Sequence, residues 1–153
     1  MNKKLKNTSR IYFDTNIFIY FLEENTYFSD SVENVFNLCN KYNIEILTSE
    51  ITITECLIGA HKKKNTELIE TYQEFFKDIY KSISIIPVKS HILSKVPETA
   101  SSNHLKLVDS IHVATALLYG CDSFLTNDKG ISSDTMNVII LSELYPDSET
   151  KKP

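Results

Sequence analysis

Short apolar runs rich in β-branched residues alternate along the chain with longer stretches whose apolar positions recur every three or four residues. The runs Ile11–Phe13, Ile44–Leu47, Ile83–Val88, Ser123–Thr126 and Val138–Leu141 are predicted as strands. Most lack polar alternation, as parallel strands covered on both faces do. Ser29–Tyr42 places Val32, Val35, Phe36 and Leu38 at helical spacing, with Ser29 or Asp30 as N-cap. Thr66–Tyr80 gathers Leu68, Ile69, Tyr72, Phe75, Phe76 and Ile79 on one face and its acids elsewhere. Lys106–Tyr119 is small and apolar almost throughout, which marks a central helix closed by Gly120. His91–His104 also has helical spacing, but Pro97 interrupts it. Strands separated by single or paired helices give an α/β layered sandwich around a mainly parallel sheet. Ligands of such sheets bind beyond the carboxyl ends of the strands.

Composition narrows the picture without changing it. The 153 residues, 42% of them hydrophobic, suit one domain over 1–153, with a core at about 10–141 and polar ends at 1–9 and 147–153. Cys39, Cys56 and Cys121 are widely spaced among apolar neighbours and form no CxxC, so they read as small core residues. A net charge of −4 excludes a protein that coats nucleic acid through a global basic field. It leaves open an enzyme with acids in a cleft and lysines on the rim. Lys3, Lys4 and Lys6 precede an apolar run as in a signal peptide, but Asp14 and Asn16 break that run and no cleavage site follows. Ile17 to Leu22 is too short to span a membrane. The expectation is a soluble, cytoplasmic protein.

Four acids are embedded in apolar sequence. Asp14 directly follows the first strand, Glu55 lies in the helix after the second, Asp109 opens the most apolar helix and Asp128 ends the fourth strand. Singly, Asp14 or Asp109 reads equally as a helix N-cap, and Asp128 as a turn residue before Lys129-Gly130. Jointly, Asp14, Asp109 and Asp128 map to one rim of the sheet, and Glu55 joins them if the helix after the second strand starts at that rim. Converging carboxylates repel one another unless a cation neutralises them, and an all-oxygen set suits Mg²⁺ or Mn²⁺ rather than zinc. Such an ion can activate water and stabilise charge on a phosphoryl group, so the chemistry implied is metal-assisted phosphodiester hydrolysis.

Four blocks carry a family likeness: Phe13-Asp14-Thr15-Asn16-Ile17, Ser49-Glu50-Ile51-Thr52-Ile53-Thr54-Glu55, Val108-Asp109-Ser110-Ile111-His112-Val113-Ala114-Thr115-Ala116 and Leu125-Thr126-Asn127-Asp128. Together, in this order between about Arg10 and Leu141, they resemble the signature of the PIN domain, above all that of the VapC-type ribonuclease toxins of toxin–antitoxin pairs. The resemblance implies a PIN-like three-layer sandwich with a mainly parallel, roughly five-stranded sheet flanked by helices. It also implies a Mg²⁺- or Mn²⁺-dependent endoribonuclease. Asp14 and Asp109 would contact the metal, with Asp128 a further contact, and Glu55 would orient or deprotonate the attacking water. Asn16 and Thr126 match polar positions that support the carboxylates. A small antitoxin protein covering the acidic cleft, an RNA substrate and a homodimer follow from the same likeness. Relatives often carry arginine on the way to Asp109, whereas this chain has only Arg10.

Further features are weighed against plainer roles. Lys62, Lys63 and Lys64 could grip RNA phosphates, or simply complement a helix dipole, and Lys129 could meet the scissile phosphate. His112, three residues after Asp109, reads as a packed helix residue before a general base. The aromatic cluster Tyr72, Phe75, Phe76 and Tyr80 reads as core or a dimer surface. An aspartyl-nucleophile phosphatase needs a second Asp where Asn16 stands. A receiver domain needs an acid ending the third strand, where the chain reads Ile86-Pro87-Val88. The alternatives that stay open are a free-standing RNA-processing nuclease and a catalytically silent PIN-like module that binds RNA or protein.

Overall fold

The computed structural model describes residues 3–79 and 82–146. Its strands are β1 (Arg10–Phe13), β2 (Glu45–Ser49), β3 (Ile83–Ile86), β4 (Ser123–Thr126) and β5 (Asn137–Ile140). They form one sheet in the order β3-β2-β1-β4-β5, and every adjacent pair is parallel. The helices are α1 (Thr15–Leu22), α2 (Ser29–Lys41), α3 (Glu50–Lys62), α4 (Thr66–Asp78), α5 (Ser90–Asn103), α6 (Leu107–Leu118) and the single turn α7 (Leu141–Leu144).

Helices cover both faces, which is why the strands are apolar without alternation. On one face Ile11 and Phe13 of β1 pack with Phe18, Val32, Val35, Tyr72 and Phe76 from α1, α2 and α4. On the other, Tyr12 and Phe124 pack with Ile92 and Val96 of α5 and Ile111 and Val113 of α6. Tyr12 and Phe124 are register partners on β1 and β4, and their rings stack at 5.1 Å. The three-layer sandwich read from the sequence is therefore present. The chain runs outward from β1 through β2 to β3, then returns to β4 on the other side of β1. Sheets of this kind seat ligands at such a reversal, which here lies at the carboxyl ends of β1 and β4.

Arg10 works at the opposite end of the sheet. Its Nε is 2.8 Å from Glu45, its guanidinium donates to the Tyr119 carbonyl at 2.6 Å, and Asp122 accepts the Ser9 and Arg10 amides. The lone arginine thus braces the amino ends of the strands.

Several local expectations are corrected. Pro97 does not interrupt its helix: α5 is continuous across it. Pro97 lies on the exposed face, so the carbonyl of exposed Leu93 that loses its amide partner faces water, where the loss costs little. Helix α2 is capped by neither Ser29 nor Asp30. Phe28 holds the cap position, and Asn25 supplies the local oxygen, accepting the Tyr27 and Phe28 amides at 2.9 and 3.1 Å. Strand β3 stops at Ile86 because Pro87 has no amide to continue the ladder. Helix α6 does close on Gly120, which takes a left-handed φ of 67° open to glycine at little cost. The end proposed for α4 at Tyr80, and the tail from Asp147 to Pro153, lie outside the described residues. No described helix is long and apolar enough to cross a membrane.

Candidate active site

Asp14 sits where β1 gives way to α1. Its amide donates to the Leu125 carbonyl, continuing the pairing with β4 by one residue, and its extended backbone then caps α1. The side chain is buried at 5% exposure, with Oδ1 accepting the Thr15 amide at 2.8 Å and Oδ2 accepting the Thr126 hydroxyl at 2.7 Å. Asn16 bridges the two strands: its amide donates to Thr126 at 3.1 Å and toward Asp14 at 3.5 Å, and its carbonyl accepts the Asn127 amide. The N-cap reading of Asp14 is met, and the same side chain lies at the carboxyl end of β1. Burial pushes its carboxyl above its ordinary pKa, against the pull of His112, Thr126 and the Thr15 amide, with Glu55 adding to the rise.

Asp109 is the third residue of α6, in the first turn, where the helix dipole favours an anion. It is not the cap; Lys106 holds that position. Its carboxylate accepts no hydrogen bond from the described residues. Burial raises its pKa first, then the negative charges of Asp14 and Asp128, with Glu55 a smaller contributor and His112 opposing. The four acids therefore share one electrostatic field at the carboxyl rim of the sheet. Asp128 is the most exposed of them. Its Oδ1 accepts the Gly130 amide at 2.8 Å, as a turn aspartate does, while its own amide donates to Thr126 at 3.0 Å.

Glu55 reaches the rim from the second turn of α3. One oxygen, Oε1, accepts from Thr15 Oγ1 at 2.6 Å and lies 2.6 Å from His112 Nε2. Burial alone raises its pKa, but the His112 and Thr15 bonds and the His112 charge outweigh that and hold the carboxyl below its ordinary value. His112, one turn after Asp109 and only 1% exposed, lies 3.8 Å from Asp14 and places Nδ1 2.6 Å from the Tyr12 hydroxyl. Burial pulls its pKa down, yet the Glu55 bond and the charges of Asp14, Glu55 and Asp109 carry it above its ordinary value. His112 is packed, as read from the sequence, but it also stands among the acids, bonded to Glu55 and 3.8 Å from Asp14. Tyr12 and Thr15 joined it unanticipated. The i, i+3 spacing from Asp109 was the signal that places His112 on the same helix face.

The lysines divide. Lys129 follows Asp128 at the rim, exposed and without a partner among the described residues. Lys62–Lys64 end α3, about 10 Å along its axis from Glu55, and Lys63 pairs with Glu23, which also accepts the Tyr72 hydroxyl. A cavity of about 620 Å³, lined by residues such as Phe36, Ile44, Ile46 and Ile83, opens at the amino ends of β2 and β3, away from the acids.

Among the described residues, no three acid, His or Cys side chains close into a ready ligand cage. The donor set nevertheless fits a hard cation. It is all oxygen, it includes a half-buried carboxylate with no protein donor, and Mg²⁺ commonly takes one or two carboxylates and keeps its waters.

A family model for the PIN domain matches residues 11–133. Solved structures share the fold. A toxin–antitoxin complex from Klebsiella pneumoniae matches with TM-score 0.65 at 21% identity, covering 86% of this chain and 97% of its own. VapBC2 from Rickettsia felis, bound to a DNA fragment from their promoter, matches with TM-score 0.68 at 20% identity over 86% and 98%. DNA-bound VapBC from Salmonella typhimurium matches with TM-score 0.66 at 14% identity over the same shares. No curated protein matches the sequence. The parallel sheet, the acid rim at its reversal point and the match across residues 11–133 make this chain a member of the PIN-domain family.

Proposed function

We propose that the chain is a divalent-metal-dependent endoribonuclease, the toxin of a toxin–antitoxin pair acting in the cytoplasm. The observation that carries this reading is Asp109: a carboxylate with no protein donor, raised by burial and by Asp14 and Asp128 at the strand ends. Asp14 and Asp109 would hold the ion, Mg²⁺ or Mn²⁺, with Asp128 closing the rim. When bound, the ion lowers the pKa of a water and stabilises charge on the phosphoryl oxygens. Thr126 and the Thr15 amide keep Asp14 aimed and oppose the rise that burial imposes on its pKa, while Asn16 holds Thr126 in place. Glu55, with one carboxylate oxygen unbonded among the described residues, would take a proton from the attacking water. As the new P–O bond forms, the bond to the ribose oxygen breaks. Lys129 at the rim meets the phosphate.

The likeness to toxin–antitoxin complexes supports a small protein partner. A basic side chain of that partner, set among the four acids, would stand in for the ion and silence the site. Exposed Leu93 and Leu107, on neighbouring α5 and α6, support pairing with a second copy of the chain.

The test incubates wild type and Asp14→Asn with total cellular RNA in Mg²⁺, Mn²⁺ or EDTA and maps the product ends. Discrete cuts by wild type alone, lost in EDTA, are expected. Identical behaviour of the two proteins overturns the nuclease reading.

A further inference from the structure

Glu55 stands on a helix, where neither cap nor turn fixes its side chain, yet one of its oxygens is gripped from two sides. Thr15 Oγ1 and His112 Nε2 both lie 2.6 Å from Oε1, whereas Oε2 has no partner among the described residues. The imidazole behind it has no freedom to turn. Its Nδ1 lies 2.6 Å from the Tyr12 hydroxyl, and its ring packs edge-on to that of Tyr12 at 5.7 Å. Tyr12 is itself fully buried and stacked on Phe124. A rigid line thus runs from the centre of the sheet through Tyr12 and His112 to one oxygen of Glu55. It leaves the other oxygen, at a side chain 35% exposed, as the one that faces the rim.

We propose that His112 is a positioning residue for Glu55: with Tyr12 behind it, the imidazole fixes Oε1 so that Oε2 is presented to the attacking water. This rests on the nuclease reading, in which Glu55 receives that proton. His112 lies beneath the site with 1% exposure, so it acts through the carboxylates it faces, bonded to Glu55 at 2.6 Å and standing 3.8 Å from Asp14. A proton acceptor works when held within hydrogen-bond reach of its target, and loss of that placement is costly in rate rather than in substrate binding.

The test uses the full chain, with RNA cleavage in Mn²⁺ and nitrogen-edited NMR of the histidine rings. His112→Ala is expected to lower kcat by about 100-fold with KM unchanged. His112→Gln, whose side-chain amide can still reach Glu55, should recover to within about 10-fold of wild type. Tyr12→Phe, which frees the ring but leaves the Glu55 contact, should lose less than His112→Ala and is the variant of choice if His112→Ala does not fold. Independently of cleavage, the His112 Nε2 resonance should move in Glu55→Gln and stay in Asp128→Asn. Wild-type kcat in the His112 and Tyr12 variants overturns the proposal alone, as does a rise in KM at constant kcat or a ring resonance indifferent to Glu55→Gln. Absence of Asp14-dependent cleavage by wild type overturns the nuclease reading and the proposal with it.

Discussion

His112 Nε2 lies 2.6 Å from Glu55 Oε1, across 57 residues of sequence. The pair couples stability to pH in a definite direction. His112 is raised above its ordinary 6.5, so its contribution is complete below about 6.5 and lost as pH rises through the folded pKa. Glu55 is lowered below its ordinary 4.5, so its contribution is complete above about 4.5 and lost as pH falls through the folded pKa. Both contributions are whole between those limits. The melting temperature of the metal-free protein, followed in EDTA, is therefore expected to fall as pH rises above 6.5. The fall should be smaller in His112→Gln. Equal pH profiles for the two proteins would show that the imidazolium does not form.

Asp109 points the same way for the opposite reason. Burial and the charges of Asp14 and Asp128 raise its pKa above 3.8, so at neutral pH the folded state carries an anion it opposes. Because the group is partly exposed, solvent screens much of that cost. Asp109→Asn should raise the melting temperature in EDTA by about 2 °C, the equivalent of somewhat under 1 kcal/mol for a domain of this size. It should also abolish the stabilisation that Mn²⁺ gives wild type by mass action. A lower melting temperature in EDTA would mean that the carboxylates do not repel one another.

The strands were legible because burial on both faces leaves a local mark: runs such as Ile11–Phe13 and Ser123–Thr126 carry little polar alternation. The acids were legible for the complementary reason, since an Asp or Glu inside such runs has no solvated face to explain it. Pro97 misled because the local rule counts the lost amide but not whether the orphaned carbonyl faces water. Tyr12, Thr15 and His112 left no comparable mark. Their roles come from partners 40 to 100 residues away, and a hydroxyl or imidazole in an apolar segment looks the same whether it is bonded to a carboxylate or only packed. What the sequence held was the face they share with Asp14 and Asp109, not the contacts made there.

Thr126 carries more of the site than its size suggests. Its hydroxyl donates to buried Asp14 at 2.7 Å and accepts the Asp128 amide at 3.0 Å and the Asn16 side chain at 3.1 Å. Thr126→Val keeps the shape and removes all three. A hydrogen bond to a charged group is worth roughly 1.5–3 kcal/mol, so urea unfolding should show a loss of about 2 kcal/mol. The Asp14 carboxyl, deprived of a donor that lowers it, should titrate higher still. A loss below about 0.5 kcal/mol would show that water replaces the hydroxyl, and that Asp14 is less enclosed than its 5% exposure implies.

Lys129 and the Lys62–Lys64 run make different claims on RNA, and salt separates them. Lys129 stands beside Asp128, exposed and with no partner among the described residues, so under the proposed nuclease function it is the lysine expected to meet a phosphate at the acid rim. The run at the end of α3 lies about 10 Å down the helix from Glu55, and Lys63 is already paired with Glu23. Each phosphate contact on a single strand contributes about 0.7 to the slope of log affinity against log salt. In the Asp14→Asn background, which binds without cutting, Lys129→Ala should reduce that slope by about 0.7. Lys62→Ala and Lys64→Ala should leave it unchanged. The converse result would route the RNA along the flank of α3, and the strand would then enter the acid rim from the Glu55 side rather than across Asp128.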